Sequence, residues 1–384
     1  MPDTKAMRAL IVDQSRDRSA LAAARMLRAD GWVVGTGAWR PSIASTSAAT
    51  GAYHRVEEAE TDEDRFIADI AEAVRVGGYE VVFCAYDVGL LVLSRRREEV
   101  APAIVPYAAH EIVERSFDKL EFTRAAEAVG LAVPRTEQAS DAALAAWQGP
   151  VVAKARIHVP TRYETRRFAS AAQAAPFVAE LRREGAQPLL QECIAGQLGA
   201  VVVVADRDGN VVAEVQQRCD RSWPAEAGVT ARARTIPPDA ALSERVGELV
   251  RRLGWFGLAE IEYLLDDHGV PRFTELNGRF YGGIALAGRA GVNVAAAWAR
   301  LATGRAVAPA PAQRIDARFQ WLNRDLAASR HAEGLRGMAK ALALAPGSAH
   351  SMFARGDLSP VLRFYLPEMG RRAASRVGLG RSSG

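Results

Sequence analysis

The sequence predicts an α/β protein of more than one domain, turning from a parallel αβ layer to an α+β arrangement further along. Two patterns and one number carry that expectation. A β-α-β rhythm runs from Met7 to Pro106, and short strands of antiparallel character replace it after residue 150. The 384 residues exceed the roughly 250–300 at which one hydrophobic core stops growing.

The apolar run Met7–Val12 reads as a buried strand. A helix over Ser19–Ala29 follows, with Leu21, Ala24 and Leu27 on one face and Gly31 as its stop, then a strand at Trp32–Gly35. A helix at Asp64–Val76 and strands at Glu80–Ala85 and Ala103–Pro106 continue the rhythm, so this unit resembles a Rossmann-like half. The turn after the first strand, Asp13-Gln-Ser-Arg-Asp-Arg18, has no GxGxxG, and a dinucleotide is not expected there. The Ser-, Ala- and Thr-rich stretch Pro41–Gly51 reads as a mobile loop.

A long helix is expected over Glu111–Val129, closed by Gly130 and Pro134. Strands follow at Val151–Lys154, Leu189–Glu192, Ala200–Ala205 and Val211–Gln216, with helices at Ser170–Glu184, Ala240–Leu253 and Ile284–Thr303. Domain boundaries fall near residues 115 and 305. Beyond residue 307 the composition loosens, and the basic, Gly- and Ser-rich segment 371–384 is expected to be disordered.

With 49% hydrophobic and 24% charged residues the chain fits a soluble globular class. A net charge of +4 without any aromatic-interleaved basic tract argues against a nucleic-acid partner and suits small anionic substrates. Cys84, Cys193 and Cys219 lack CxxC spacing, which argues against a zinc site or a disulfide framework and for a reducing compartment. No apolar run reaches the roughly 18–20 residues that span a bilayer, and no signal-peptide core is evident. A cytoplasmic location follows as the expectation, without stable membrane insertion.

The densest chemistry lies between Gly257 and Phe280. Two apolar segments, Ala259–Leu265 and Arg272–Leu276, flank Asp266-Asp267-His268-Gly269, a hairpin signal. Pairing them gathers Glu262, Glu275 and Asn277, with Arg279 just beyond. Hard oxygen ligands on a rigid hairpin suit Mg²⁺, and an arginine beside them suits a phosphoryl group in transfer. A solvated amphipathic hairpin would also carry acids; the ordered set E–x12–E–x–N–x–R favours a site. Lys154, ending a buried strand, needs a partner for its charge, either a phosphate or solvent.

Thr274-Glu-Leu-Asn-Gly-Arg-Phe-Tyr-Gly-Gly resembles the E-x-N-x-R motif of the ATP-grasp superfamily, and Glu262 stands where the family's other metal carboxylate stands. Upstream, Asp118-Lys119 with Gly130 and Pro134, Val151-Val-Ala-Lys154, and Leu189-Leu-Gln-Glu-Cys-Ile194 are similar to the family's two nucleotide lysines and its interlobe hinge. Arg318–Asp325 resembles a segment of the predicted ATP-dependent carboxylate–amine ligases, which are similar to the core of carbamoyl-phosphate synthetase large chain and biotin carboxylase. The resemblance runs over residues 1–325.

The resemblance implies a Rossmann-like domain over 1–115 and a two-lobed ATP-grasp domain over 116–305, divided into lobes of 116–190 and 191–305. A C-terminal extension covers 306–384. It further implies that Lys119 and Lys154 hold nucleotide phosphates and that Gln191, Glu192, Cys193 and Ile194 form the adenine hinge. Glu262, Glu275 and Asn277 would bind Mg²⁺, two ions with Mn²⁺ able to substitute, while Arg279, Arg218 and Arg221 act on the reacting groups. The implied activity joins a small carboxylate to an amine through an acyl phosphate, with release of ADP and phosphate; a homodimer is compatible with it. The alternatives are another ATP-grasp reaction, carboxylation or phosphotransfer, and a nucleotide-binding regulator without turnover.

Two features depart from the family pattern. The loop after Lys154, residues 155–167, contains no glycine, so Arg156, Arg162 or Arg166 would have to stand in for backbone N–H groups. Leu198 also stands where related ligases often place an acid for the ribose.

Overall fold

A computed structural model describes residues 6–157, 165–224 and 229–365 of the chain. Its first layer comprises β1 (Arg8–Val12), α1 (Arg18–Ala29), β2 (Val33–Ala38), β3 (Thr50–Arg55), α2 (Glu63–Gly77), β4 (Val81–Cys84) and α3 (Asp87–Arg95). The four strands form a parallel sheet in the order β3-β2-β1-β4. β1 is central, and its continuous run Ala9–Val12 is buried, as a strand covered on both faces requires. Asp17 caps α1 by accepting from the Ser19 N–H, and left-handed Gly78 ends α2.

Two expectations fail in this layer. The stretch 41–51 is a short 3-10 turn leading into β3, held by Ser45 and Thr46 side chains bonded to Ser42 and Ile43 carbonyls. The strand expected over Ala103–Pro106 is reduced to one parallel bridge between Ile104 and Val81.

The expected helix over 111–129 is two, α4 (His110–Phe117) and α5 (Lys119–Ala128). Asp118 is extended (ψ 107°) and accepts from the Leu120 and Glu121 N–H groups, so its cap interrupts the apolar periodicity. A small lobe follows: β5 (Thr136–Gln138), α6 (Asp141–Ala146), β6 (Val151–Ala155), β7 (Thr165–Phe168), α7 (Ala171–Arg183) and β8 (Pro188–Glu192). Its antiparallel sheet, β5-β8-β6-β7, closes a core of its own around Ala153, Phe177 and Leu190.

The remaining elements are β9 (Leu198–Ala205), β10 (Val211–Trp223), β11 (Val229–Thr235), α8 (Ala240–Leu253), β12 (Gly257–Leu265), β13 (Pro271–Asn277), α9 (Ala285–Ala290), α10 (Val294–Ala302), β14 (Arg318–Gln320), α11 (Leu322–Leu344) and β15 (Ser348–His350). Seven strands make one sheet, β13-β12-β9-β10-β11-β14-β15, antiparallel except for the last pair. Residues beyond 305 therefore complete this sheet, and α11 packs across β10 and β11. The single helix expected over 284–303 is broken at Gly291, whose φ of +97° is closed to most side chains. The main core runs unbroken from the N-terminal sheet into the large sheet, through Phe83, Tyr107, Phe280 and Trp298.

Candidate active site

The small lobe faces the large sheet across a cleft of about 610 Å³. One wall carries Lys154, Arg167, Gln191, Glu192 and Ile194; the other carries Glu262, Glu275, Asp220 and Arg221.

The acidic wall follows from strand register. Across β12 and β13, Glu262 lies opposite Glu275 and Glu260 opposite Asn277. The two-residue period sets all four on one face and sends Ile261 and Leu276 into the core. Buried Glu260 accepts from Gln217 Nε2 (3.3 Å) and from Asn277 Nδ2 (3.2 Å). Burial pushes its carboxyl up to about 8, with the charge of Arg279 and the Asn277 bond opposing. Burial likewise holds Glu262 well above the usual carboxylate range, and Glu260 and Glu275 add to the rise.

Carboxyls so crowded favour a cation among them. Among the described residues no group of three or more His, Cys, Asp or Glu is arranged as a complete metal site. The hairpin instead offers two facing carboxylates and an asparagine, an oxygen set that fits Mg²⁺ completed by phosphate and water.

The lysines meet these acids from the other side. Lys154, on β6, is only 4% exposed. Burial draws its ammonium down to about 8, which Glu275 and Glu262 oppose and Lys119 reinforces. Lys119 Nζ lies 3.9 Å from Glu275 Oε2. Lys119 owes its place to the break at Asp118: it opens α5, and its N–H donates to the Arg156 carbonyl (3.0 Å) while the Arg156 guanidinium donates to Asp118 (2.7 Å).

The hinge residues divide their work. Gln191 is buried, and its Nε2 donates to Thr136 Oγ1 (2.9 Å). Glu192 gives its N–H to the Arg135 carbonyl (2.8 Å) and accepts the Arg135 N–H at its carboxylate (3.1 Å), so it is occupied within the lobe. Cys193 Sγ and the Ile194 carbonyl both receive the Arg167 guanidinium. Among the described residues the N–H groups of Cys193 and Ile194 are not engaged by backbone carbonyls.

The three arginines are not gathered on the cleft. Arg218 points to the face of β10 opposite Gln217 and Cys219, where it bonds the Tyr263 hydroxyl; strand alternation turns it away from the acids, contrary to the expectation from sequence. A bulge after Cys219 turns both Asp220 and Arg221 toward the cleft, yet the Arg221 guanidinium ends on Glu333 of α11 (2.9 Å). Arg279 holds Asp87 of α3 with both prongs, Nε to Oδ1 at 2.6 Å and Nη2 to Oδ2 at 3.0 Å.

Of the proposed stand-ins for a glycine loop, Arg156 backs Lys119, Arg162 lies outside the described residues, and Arg166 stacks on Phe177 (4.6 Å). Arg167, unnoticed in the sequence, lines the cleft instead. Leu198 lines it too, with Asp220 an acid on the same wall. Glu260 was also missed, although it stands two residues before Glu262 and the strand period alone places it on the same face. Asp87 carries no local signal, being 192 residues from its partner.

Two lobes enclosing a cleft that sets lysines against paired acids define the ATP-grasp class of nucleotide-binding folds. Residues 185–325 match the family described as "ATP-grasp in the biosynthetic pathway with Ter operon", and the chain has the ATP-grasp fold. Among solved structures it is similar to biotin carboxylase from Campylobacter jejuni in its β,γ-ATP complex (TM-score 0.63, 18% identity, covering 80% of this chain and 74% of that one). It is similar also to the biotin carboxylase domain of Hydrogenobacter thermophilus 2-oxoglutarate carboxylase with MgADP and bicarbonate (0.64, 16%, 82% and 74%). A third likeness is to L-amino acid ligase from Bacillus licheniformis (0.61, 15%, 78% and 75%). At these identities the likeness is one of fold. No protein of curated function matches the sequence.

Proposed function

We propose that this chain is an ATP- and Mg²⁺-dependent ligase that joins a small carboxylate to an amine. The observation that carries the reading is the convergence of Lys119 and Lys154 on the acids: Lys119 Nζ lies 3.9 Å from Glu275, and Lys154 is buried within the field of Glu275 and Glu262. Two cations and two facing carboxylates suit a metal–phosphate group, whose negative oxygens the lysines hold and whose cation the acids hold.

In this reading Lys119 and Lys154 bind the phosphates, and Gln191, Cys193 and Ile194 with the backbone beside Glu192 bind the adenine. Glu262, Glu275 and Asn277 hold Mg²⁺, which when bound supplies charge neutralisation at the transferring phosphoryl group. A carboxylate oxygen of the substrate attacks the γ-phosphorus, the β–γ P–O bond breaks, and ADP leaves. The amine nitrogen then attacks the acyl carbon, the bond to phosphate oxygen breaks, and the nitrogen gives up its proton. Arg279, braced by Asp87, fixes the exit of β13, so it positions Asn277 and Glu275. The three cysteines are free, in keeping with a reducing cytoplasm.

The test is a screen of ATP hydrolysis against pools of amino acids and small carboxylic acids, bicarbonate included, reading phosphate release and product mass. The expected products are ADP, phosphate and an amide, and hydroxylamine should divert the activated acyl group into a hydroxamate. AMP as the main nucleotide product removes this mechanism, and a carbamate product moves the reading to carboxylation. Glu275→Gln should retain the parent's circular dichroism and lose turnover; full activity in that variant removes the metal role.

A further inference from the structure

A second cavity, of about 820 Å³, shares no lining residue with the cleft. It opens where α1, α9 and the chain around β15 meet, so its walls come from parts of the sequence far from one another. Ala22, Met26 and Ala29 of α1, Ala285 of α9, Ala349 and Phe353 make those walls mostly apolar. Gly288 leaves the gap between the two helices open, because a Cβ there would already lie 3.6 Å from Met26 Cε. Both the size and the apolar lining are those of small-molecule sites.

The charges around this cavity are of one sign. Among the described residues Arg25, Arg289 and Arg355 line it, and no aspartate or glutamate does. Its neutral polar groups are occupied by the fold. Asn293 Nδ2 donates to the Met26 carbonyl (2.8 Å), Ser348 Oγ to the Leu344 carbonyl (2.9 Å) and His350 Nε2 to the Ala345 carbonyl (2.8 Å). Arg25 is occupied too, with Nε on Asp357 (2.8 Å) and Nη2 on the Met352 carbonyl (2.9 Å). The other two arginines keep donors to spare. Arg289 uses Nη2 on the Gly347 carbonyl (3.2 Å), and the Arg355 guanidinium makes no hydrogen bond or ion pair among the described residues.

Apolar walls beside spare guanidinium donors suit a molecule with an apolar body and an anionic head. The chain's own segment 366–384 has the wrong sign to fill the cavity, with four arginines against one acid. We propose that this cavity binds a small amphipathic organic anion, its apolar body against α1 and α9 and its carboxylate or phosphate head on Arg289 and Arg355. The site lies outside the cleft, goes beyond the ligase reading and does not depend on it.

Titration calorimetry of the full chain with hexanoate and hexyl phosphate tests the site, beside hexanol, hexylammonium and inorganic phosphate. Ionic strength is held constant, and each titration is run with and without MgATP. One of the two amphipathic anions should bind at least on the order of 10-fold tighter than any of the three controls, and the tighter of the two names the head. MgATP should leave that affinity unchanged. Arg355→Gln should weaken it on the order of 10-fold, the scale of a lost charge-assisted hydrogen bond. This variant should melt with the parent, because the guanidinium holds nothing in the fold. Gly288→Leu fills the gap from the opposite wall without altering charge; it should weaken binding as much and melt at or above the parent.

Equal affinity for hexanol removes the anionic head, and equal affinity for inorganic phosphate removes the apolar body; either overturns the proposal, as does absence of binding in the parent. Competition between the anion and MgATP, or binding that both variants retain in full, assigns the anion to another place and overturns it likewise. A dimer in sedimentation velocity that either variant dissociates, with no anion bound by the parent, gives the cavity to a second copy of the chain and overturns it too.

Discussion

Asp13, directly after β1, is almost wholly buried, with one oxygen accepting the Ser15 N–H (2.6 Å) and the other without a hydrogen-bond partner among the described residues. Burial raises its carboxyl to about 8 from 3.8, and Asp17 adds to the rise. The folded chain thus keeps this proton up to about pH 8, whereas the unfolded chain releases it near 3.8. The stability it contributes is present below pH 4 and is lost as pH climbs through 8. Asp13→Asn keeps the acceptor for Ser15 and removes the titration. Its melting temperature should match the parent's near pH 4 and exceed it by several degrees at pH 8.5, corresponding to a few kcal/mol. An offset independent of pH over that range contradicts the assignment. Read as sequence, Asp13 is simply an acid in a turn; only the neighbours folded around it set its proton affinity.

At the scale of elements, the break between α4 and α5 positions a residue of the cleft. Asp118 caps α5 and pairs with Arg156, so Lys119 projects from the first turn of a helix rather than from the middle of one. Asp118→Ala should destabilise the chain by about 1–2 kcal/mol through the lost cap. It should also raise KM for ATP several-fold, because Lys119 and Arg156 lose their shared anchor. A loss of stability with unchanged ATP kinetics, measured by denaturant titration beside steady-state assays, would separate the cap from the site. Helix periodicity continues through residue 118, which is why one helix is expected there. The Asp-Lys pair that breaks it is legible only once the cap and its arginine are seen together. The hairpin behaves differently: its acids, its turn and their facing register all follow from a period of two, so that element is readable residue by residue.

Across the whole molecule, the Arg279–Asp87 pair ties the N-terminal layer to the strand carrying Glu275 and Asn277. Arg279→Lys keeps the charge but cannot match both carboxylate oxygens. It should lose on the order of 10²-fold in kcat, and it should also melt below the parent, since Asp87 keeps a poorer partner in a mostly buried setting. Reduced kcat with unchanged melting would mean the arginine acts on phosphate rather than as a brace. Mg²⁺ with ATP should stabilise the whole chain, because the cleft lies between two separately packed cores. Stabilisation of about 2.7 kcal/mol is expected at a ligand concentration of 100 Kd. ATP with EDTA should give only a small fraction of that shift in differential scanning fluorimetry; equal shifts would remove the metal from nucleotide binding.

By itself the sequence determined the local alternation and the order of chemistry along it: a parallel αβ layer, a later antiparallel region, an acidic hairpin, and two lysines upstream. These are short-range properties, set by side-chain period, caps and turn residues, and they survive translation into structure. Only the tertiary structure decided which charges meet. It turned Arg218 to the far face of β10, engaged Arg221 with α11, set Asp87 against Arg279, and brought Arg18 and Arg324 together over Trp321. Those pairings join residues distant in the chain, and a one-residue bulge or a helix break is enough to redirect a side chain, so no local pattern encodes them.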